Sequence, residues 1–109
     1  MIKYIVGDVV IVYEGTKLRP TVIINNGLGI DVDVSTARVS SQKVRNEFDV
    51  SLVYWKEAGL EKPSIVRCSK INTVTPGKQM LKIGSLHIDD LSNVRDAVNA
   101  YIKSGFEVF

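Results

Sequence analysis

Cysteine and histidine are almost missing from this sequence, whose 109 residues include one of each, Cys68 and His87. A single cysteine cannot form an internal disulfide. The two residues together are too few for the tetrahedral Cys and His sets that hold structural zinc. Scaffolds built on disulfides or on structural zinc are therefore excluded, and the fold has to be stabilised by an apolar core.

Long apolar runs are also lacking. No stretch approaches the roughly 18 to 20 residues of a membrane-spanning helix, and residues 1–6 carry no feature of a secretory signal. With 45% hydrophobic residues, 24% charged residues and only 3 prolines, the composition is typical of a globular protein. We expect one domain over residues 1–109, located in the cytoplasm and without membrane contact.

Common enzyme motifs are missing as well. The sequence has no glycine-rich phosphate loop that leads into a helix, no G-x-S-x-G and no pair of histidines. We therefore expect neither a cofactor nor a metal ion. The charge is nearly balanced, with 14 Lys and Arg against 12 Asp and Glu, and does not by itself indicate nucleic acid. Basic residues nevertheless recur near predicted strand ends, which favours a local basic face: Lys17, Arg19, Arg38, Lys43, Arg45, Arg67 and Lys70.

Alternating and β-branched segments dominate the first 85 residues. Residues 30–40 alternate apolar and polar side chains, and a change of phase near Thr36 and Ala37 predicts a bulge. Further strands are predicted at 8–13, 20–24, 48–53, 64–68, 71–74 and 78–83, with turn signals between them. Residues 54–59 predict about one helical turn that ends at Gly59.

The pattern changes after residue 87. Apolar residues recur at spacings of three and four, as on one face of a helix that stops near Gly105: Ile88, Leu91, Val94, Val98, Tyr101 and Ile102. The sequence thus predicts a mainly β fold. We expect a small antiparallel barrel with a short helical insert at 54–59 and one amphipathic C-terminal helix packed outside.

Arginine and hydroxyl side chains at strand ends are the chemistry that remains. A guanidinium group matches phosphate in a bidentate way, so this set is suited to binding phosphate or stabilising charge on it. RNA is therefore the substrate class to consider.

Seven segments in sequence order match one known family. They are 7–10 (GDVV), 19–24 (RPTVII), 39–42 (VSSQ), 55–64 (WKEAGLEKPS), 66–70 (VRCSK), 83–86 (IGSL) and 90–94 (DLSNV). Over nearly the whole chain they resemble the MazF/PemK family of toxins from bacterial toxin–antitoxin systems. The resemblance implies an SH3-like, CcdB-like barrel with a C-terminal helix, which agrees with the pattern above.

The resemblance also implies an activity. Members of this family are metal-independent endoribonucleases, usually homodimers, which cut single-stranded RNA, inhibit translation and are silenced by a cognate antitoxin. The 2′-hydroxyl of the RNA attacks the adjacent phosphorus, which leaves a 2′,3′-cyclic phosphate and a 5′-hydroxyl. By the resemblance, Arg19, Ser40 and Arg67 are the catalytic residues. Neighbouring residues are expected to contact RNA: Lys17, Ser41, Gln42, Lys43, Ser69 and Lys70.

For catalysis, we expect the two guanidinium groups to converge with the Ser40 hydroxyl in one cleft. Arg19 would stabilise charge, Ser40 would donate a hydrogen bond to a phosphate oxygen, and Arg67 would clamp a phosphate. The alternative for Arg67 is an outward-facing arginine paired with an acidic residue.

Two features depart from the family pattern. Ser69 stands where the PemK-like branch has an aspartate, and the loop at 13–18 is much shorter than the usual glycine-rich loop over the groove. Both favour an alternative function on the same barrel, without RNA cleavage. This is either a gyrase-directed poison like CcdB or a cleavage-dead protein that binds an antitoxin or nucleic acid.

Three other residues have a structural and a functional interpretation. Cys68 is expected to be a small buried apolar residue rather than a nucleophile. His87 is expected to cap the helix or face solvent rather than act as a general base. Trp55 is expected to anchor the turn at 54–59 rather than stack on RNA bases.

Overall fold

A computed structural model describes residues 4–27, 33–77 and 80–107 of the chain. It contains six strands, β1 (Asp8–Glu14), β2 (Lys17–Asn25), β3 (Val34–Ser40), β4 (Asp49–Ser51), β5 (Ile65–Val74) and β6 (Met80–Ser85), and one helix, α1 (Ile88–Glu107). The predicted strands at 64–68 and 71–74 form one strand, β5. The parts of the predicted strands at 30–32 and 78–79 lie outside the described residues.

The six strands form one antiparallel sheet in the order β4-β5-β3-β2-β1-β6. The predicted mainly β fold with one C-terminal helix is confirmed. Within the described ranges the edge strands β4 and β6 do not pair with each other, so the sheet is not closed into a complete barrel. β4 is the shortest of the six strands, with three residues.

The turn after β4 fills the gap between these two edges. The Ala58 N–H donates to the Tyr54 carbonyl at 3.2 Å, which makes a single helical turn in place of a helix, and Gly59 ends it with φ +90°. A Cβ atom on Gly59 would overlap the Ile83 carbonyl oxygen, and one on Gly84 would overlap the Ala58 carbonyl oxygen. Glycine at these two positions therefore lets the turn lie directly against β6.

Apolar side chains pack on both faces of the sheet, because successive residues of a strand point to opposite faces. One cluster lies between the sheet and α1, and includes Val9, Val22, Val39, Val66, Cys68, Val94 and Val98. A smaller cluster on the other face contains Tyr4, Val10, Val12, Ile23, Val34 and Met80. The core is thus divided by the sheet.

The predicted helix is confirmed, and it extends to Glu107, past the predicted stop at Gly105. Near its start, the buried carboxylate of Asp90 accepts hydrogen bonds from the backbone N–H groups of Val53 (3.0 Å) and Tyr54 (2.8 Å), which ties the helix to the segment after β4. No helix in the described ranges is long and apolar enough to cross a lipid bilayer.

Candidate functional site

An opening in the sheet begins where β2 and β3 stop pairing. The last pair of this ladder is Thr21 opposite Arg38. The residue that precedes Thr21 in β2 is Pro20, which has no N–H to donate. The same register continued by two residues would place Arg19 opposite Ser40. The Arg-Pro dipeptide thus sets these two side chains at the end of the ladder, on the same face of the sheet.

Arg19 and Ser40 both line an open groove of about 630 Å³. Its floor comes from the ends of β2 and β3 and from Ile11 of β1, and the segment 59–64 contributes another wall. Polar residues along the groove are Arg19, Ser40, Ser41, Gln42, Glu61, Lys62 and Ser64. The groove is therefore amphipathic, with cationic and hydroxyl groups at the strand ends and on the segment 59–64.

The short loop at 13–18 leaves this end of the groove uncovered. β1 and β2 pair as far as Glu14 opposite Lys17, so only Gly15 and Thr16 form the turn. Gly15 has φ +64°, which is the conformation that a two-residue hairpin requires. A long loop over the groove, as the family resemblance implies, is replaced here by a tight hairpin.

A row of four residues crosses the sheet beside the groove. Thr21 lies opposite Arg38, Arg38 opposite Arg67, and Arg67 opposite Asp49. Residues directly opposite on neighbouring strands share a face, and two like charges in that position repel each other. The carboxylate at the end of the row offsets the repulsion between the two arginines.

Arg67 and Asp49 form a buried ion pair. Arg67 Nη1 lies 2.7 Å from Asp49 Oδ2, and the two side chains are 4% and 0% exposed. The same oxygen accepts the Arg45 backbone N–H at 2.8 Å. Arg67 is therefore paired with an acidic residue, as one interpretation of the sequence held, but it points into the protein and does not line the groove.

The other terminal nitrogen of Arg67 reaches two residues that do line the groove. Nη2 donates to Gln42 Oε1 at 3.1 Å and makes a longer contact of 3.5 Å with Ser40 Oγ. The Gln42 backbone N–H also donates to Ser40 Oγ, at 3.1 Å. Arg67 thus connects Asp49 in the interior with Ser40 and Gln42 at the surface.

These contacts determine what the groove offers to a ligand. A serine hydroxyl has two acceptor sites and one proton, and both acceptor sites of Ser40 face donors. Its O–H is therefore left to donate. Because arginine can only donate, Gln42 must turn its oxygen toward Arg67, and its NH₂ group, with two donors, points away from that contact.

Arg19 also borders a second, much smaller space on the other side of Pro20. This cavity of about 20 Å³ is lined by Arg19 and Arg38 together with Thr21, Thr36 and Asn72. The described structure thus brings Arg19, Ser40, Ser41 and Gln42 together at the groove, with Arg38 next to them. Direct contact between Arg67 and phosphate stays a prediction.

The remaining residues that were predicted to contact RNA lie outside the groove lining. Lys17, Lys43 and Lys70 are exposed and Ser69 is half-buried. Sequence analysis did not single out Glu61 and Lys62 of the groove or the Asp49 carboxylate. The first two lie in the matching segment 55–64, but the resemblance gave them no role, whereas Asp49 is recognised only once the pairing of β4 with β5 is known.

Cys68 and His87 have the structural roles that we expected. Cys68 is fully buried, and burial, with a smaller effect of the nearby Asp49 charge, raises the pKa of its thiol to about 12. The His87 Nδ1 atom accepts the Asp89 N–H at 3.1 Å, and the ring stacks on Tyr54 with centroids 3.8 Å apart. Trp55 is half-buried and packs against the core beside α1, as an anchor of the turn.

The chain is thus a small β-sheet protein with one C-terminal helix and a groove that is lined by Arg19 and Lys62. The sequence profile of the PemK-like, MazF-like toxins of type II toxin–antitoxin systems matches residues 6–102. The chain therefore belongs to this family of toxins. A comparison with individually curated proteins gives no match.

Solved structures share the fold at low sequence identity. An endoribonuclease in complex with its cognate antitoxin, from a Mycobacterial species, has a TM-score of 0.75 and 15% identity over 92% of this chain and 95% of that chain. MazF in a MazE–MazF complex from Deinococcus radiodurans has a TM-score of 0.74 and 16% identity, over 89% and 92%. The Mycobacterium tuberculosis toxin MazF-mt6 has a TM-score of 0.70 and 19% identity, over 87% and 96%.

Proposed function

We propose that this toxin is an endoribonuclease that cleaves single-stranded RNA in the cytoplasm without a metal ion and thereby inhibits translation. The observation that carries the proposal is the meeting of Arg19 and Ser40 in one groove. A guanidinium group and a hydroxyl donor in one groove are the groups that can stabilise charge on a phosphodiester. Family membership supports the same activity.

The proposed reaction needs little covalent machinery from the protein. The 2′-oxygen of a ribose attacks the adjacent phosphorus, and the bond between phosphorus and the 5′-oxygen breaks. The 2′ proton leaves to a base and the departing 5′-oxygen gains a proton, which gives a 2′,3′-cyclic phosphate and a 5′-hydroxyl. Most of the rate enhancement then comes from orientation and from charge stabilisation on the phosphorane.

Arg19 is proposed to bind and neutralise the phosphorane oxygens. A guanidinium group stays protonated in proteins, so it cannot accept the 2′ proton. Its planar fork of N–H donors instead matches two phosphate oxygens. Its half-buried position in the wall of the groove strengthens such a contact, because fewer water molecules screen it.

Ser40 is proposed to donate a hydrogen bond to one of the same oxygens. Both of its acceptor sites already face Gln42 N and Arg67 Nη2, so its proton is directed to a ligand. Arg67, which does not line the groove, is proposed to hold the Ser40 hydroxyl through these contacts and to add positive charge near the bound phosphate. In this arrangement the hydroxyl is a fixed donor and not a proton acceptor.

The carboxylate of Glu61 is the proposed acceptor of the 2′ proton. It belongs to the groove wall at 59–64, and among the described groove-lining residues it is the one carboxylate. Ser69, which replaces the aspartate of the PemK-like branch, cannot serve in this way. A carboxylate reaching the ribose from the opposite wall supplies the same chemistry.

Two protein partners are proposed. A cognate antitoxin would occupy the groove, and the antitoxin complexes among the similar structures support this assignment. A second copy of the chain would complete a homodimer. β6 is an edge strand with Leu81 exposed on it, and such an edge gains from pairing or burial.

Incubation of the purified chain with a long single-stranded RNA in the presence of EDTA tests the activity. We expect fragments with 5′-hydroxyl and 2′,3′-cyclic phosphate ends, at a rate that EDTA does not change. Intact RNA would contradict the proposal.

The second candidate function, a non-cleaving gyrase poison or binding protein, is favoured by Ser69 and by the burial of Arg67. Gyrase inhibition, or RNA or antitoxin binding without cleavage, would support it.

A further inference from the structure

We propose that Asp49 is a positioning residue for the groove: it holds Arg67 in the one orientation from which that arginine fixes Ser40 and Gln42 as donors. The inference rests on the proposed function only for its effect on catalysis. Its structural part, the control of the Gln42 and Ser40 side chains by a carboxylate outside the groove, stands on the contacts alone.

Asp49 lies in the protein interior, where burying a charged carboxylate costs free energy. Its side chain is completely buried, and two donors converge on Oδ2, namely Arg67 Nη1 at 2.7 Å and the Arg45 N–H at 2.8 Å. A buried ion pair of this kind is poor at stabilising a fold compared with apolar residues of similar size. Its contribution is instead to set the orientation of the Arg67 guanidinium plane.

The direction matters because Arg67 uses its two terminal nitrogens for different purposes. Nη1 donates a hydrogen bond to Asp49 Oδ2. Nη2 contacts Gln42 Oε1 at 3.1 Å and Ser40 Oγ at 3.5 Å. If the carboxylate charge is removed, Arg67 is left as a buried cation. An amide oxygen in place of the carboxylate still accepts one hydrogen bond from Nη1, but it supplies no counter-charge. We therefore expect Arg67 to turn toward solvent or toward the groove, with loss of both contacts of Nη2.

The loss would affect the transition state more than substrate binding. Arg19 and the exposed lysines should still attract RNA, because the carboxylate of Asp49 contacts Arg67 and Arg45 and does not line the groove. Ser40, however, would regain freedom to rotate and to accept hydrogen bonds, so its proton would no longer be directed to a phosphate oxygen. We therefore expect a lower kcat with little change in KM.

Asp49→Asn is the variant that tests this, because the amide keeps the shape of the side chain and removes its charge. The matched control is Asp90→Asn, a second buried carboxylate that accepts two backbone N–H groups at the start of α1 and does not line the groove. Both variants, with the parent, are assayed on a short single-stranded RNA at a temperature at which circular dichroism shows all three folded.

We expect Asp49→Asn to lower kcat at least about tenfold with KM within about threefold of the parent, because small misplacements of catalytic groups have effects of this size. Asp90→Asn should leave both constants within about threefold. Equal losses in the two variants, or a parent-like kcat in Asp49→Asn, would overturn the inference.

A second measurement does not depend on cleavage. In ¹H–¹⁵N spectra, the side-chain NH₂ group of Gln42 should move or broaden in Asp49→Asn and stay in place in Asp90→Asn. If the parent cleaves no RNA, the proposed function is wrong, and this spectrum alone decides the role of Asp49. An unchanged Gln42 signal in Asp49→Asn would refute that role.

If Asp49→Asn does not fold, Arg67→Lys takes its place. Lysine keeps a cation beside Asp49, but a single ammonium nitrogen cannot serve Asp49, Gln42 and Ser40 with the geometry of a planar fork. The expected result is again a kcat at least about tenfold lower and a displaced Gln42 signal. A parent-like kcat and spectrum would contradict the inference.

Discussion

Two regions of this toxin use arginine in opposite ways. The groove mouth, formed by Arg19, Ser40 and Gln42, presents its polar groups to solvent. The buried support, formed by Arg67 and Asp49, keeps a cation and an anion together with 4% or less of either side chain exposed. One arginine lines the groove, and the other is buried and contacts two residues that line it. The comparison teaches that a charge near a site can act by fixing its neighbours.

Breaking the buried support is expected to have the largest effect, and the effect is on stability. Arg67→Met leaves the buried Asp49 carboxylate with only the half-exposed Arg45, whose Nε lies 3.9 Å from Oδ2. Losing the buried partner costs about 3–5 kcal/mol of the free energy of unfolding. Urea unfolding followed by circular dichroism measures it. A loss below about 1 kcal/mol would mean that the pair is not buried in solution.

The double variant Arg67→Met with Asp49→Leu separates the two roles of the support. Replacing both charges with apolar groups removes the unpaired carboxylate, so most of the lost stability should return. RNA cleavage should not return, since Gln42 and Ser40 still lack the Arg67 donor. Recovery of both properties would show that the ion pair serves the fold alone.

Breaking the groove mouth should give the reverse pattern. Arg19→Ala removes a preorganised donor to the phosphorane, which commonly costs roughly 2.7–4 kcal/mol of transition-state stabilisation, or about 10²–10³ in rate. Single-turnover cleavage of a short RNA measures the loss, and the free energy of unfolding should change little. Arg95→Ala, on the exposed surface of α1, is the control and should cleave like the parent.

If Arg19→Ala instead cleaved RNA at the parental rate, Arg19 would have no catalytic role. If the midpoint of its urea unfolding fell to a much lower concentration, Arg19 would have a structural role like that of the Arg67–Asp49 pair. Either result would remove the distinction between the two regions.

Much of the fold could be predicted from the sequence because it follows from local patterns. β-branched apolar runs marked β1 and β2, alternation at period two marked β3, and the spacing of three and four marked α1. The phase change near Thr36 and Ala37 predicted a bulge, and the β3–β5 register does shift between Ala37 and Arg38. Local patterns could not show that β4 and β6 stay unpaired, because a pattern within one strand does not determine which distant strand lies beside it.

The candidate site divides in the same way. Arg19 and Ser40 were found from the resemblance, whose motifs are local in sequence. The Arg67–Asp49 pair joins residues 18 apart in the chain through the pairing of β4 with β5, and the shift beside Arg38 sets the β3 partner of Arg67. Sequence patterns do not fix such a register, so the burial of Arg67 became visible only in three dimensions.

A smaller change within the groove mouth comes from Ser40. Ser40→Ala removes one hydrogen bond to a charged phosphate oxygen, which is worth about 1.5–3 kcal/mol, or about 10- to 100-fold in kcat. Ser40→Thr keeps the hydroxyl and should retain most of the activity. A Ser40→Ala variant as active as the parent would show that the hydroxyl does not reach the phosphate.

Cys68, on the opposite face of β5 from Arg67, should have the smallest effect at neutral pH, where its ionisation does not contribute to stability. Its thiol pKa rises from 9.0 to about 12 on folding, because of burial first and the Asp49 charge second. Below pH 9 the thiol is protonated in both states. Between pH 9 and 12 only the unfolded chain loses the proton, so stability should fall by at most about 1.4 kcal/mol per pH unit. Urea unfolding at several pH values above 8 measures the slope. Cys68→Ala, which lacks the thiol, should show a shallower slope, whereas equal slopes would mean that the thiol ionises alike in both states.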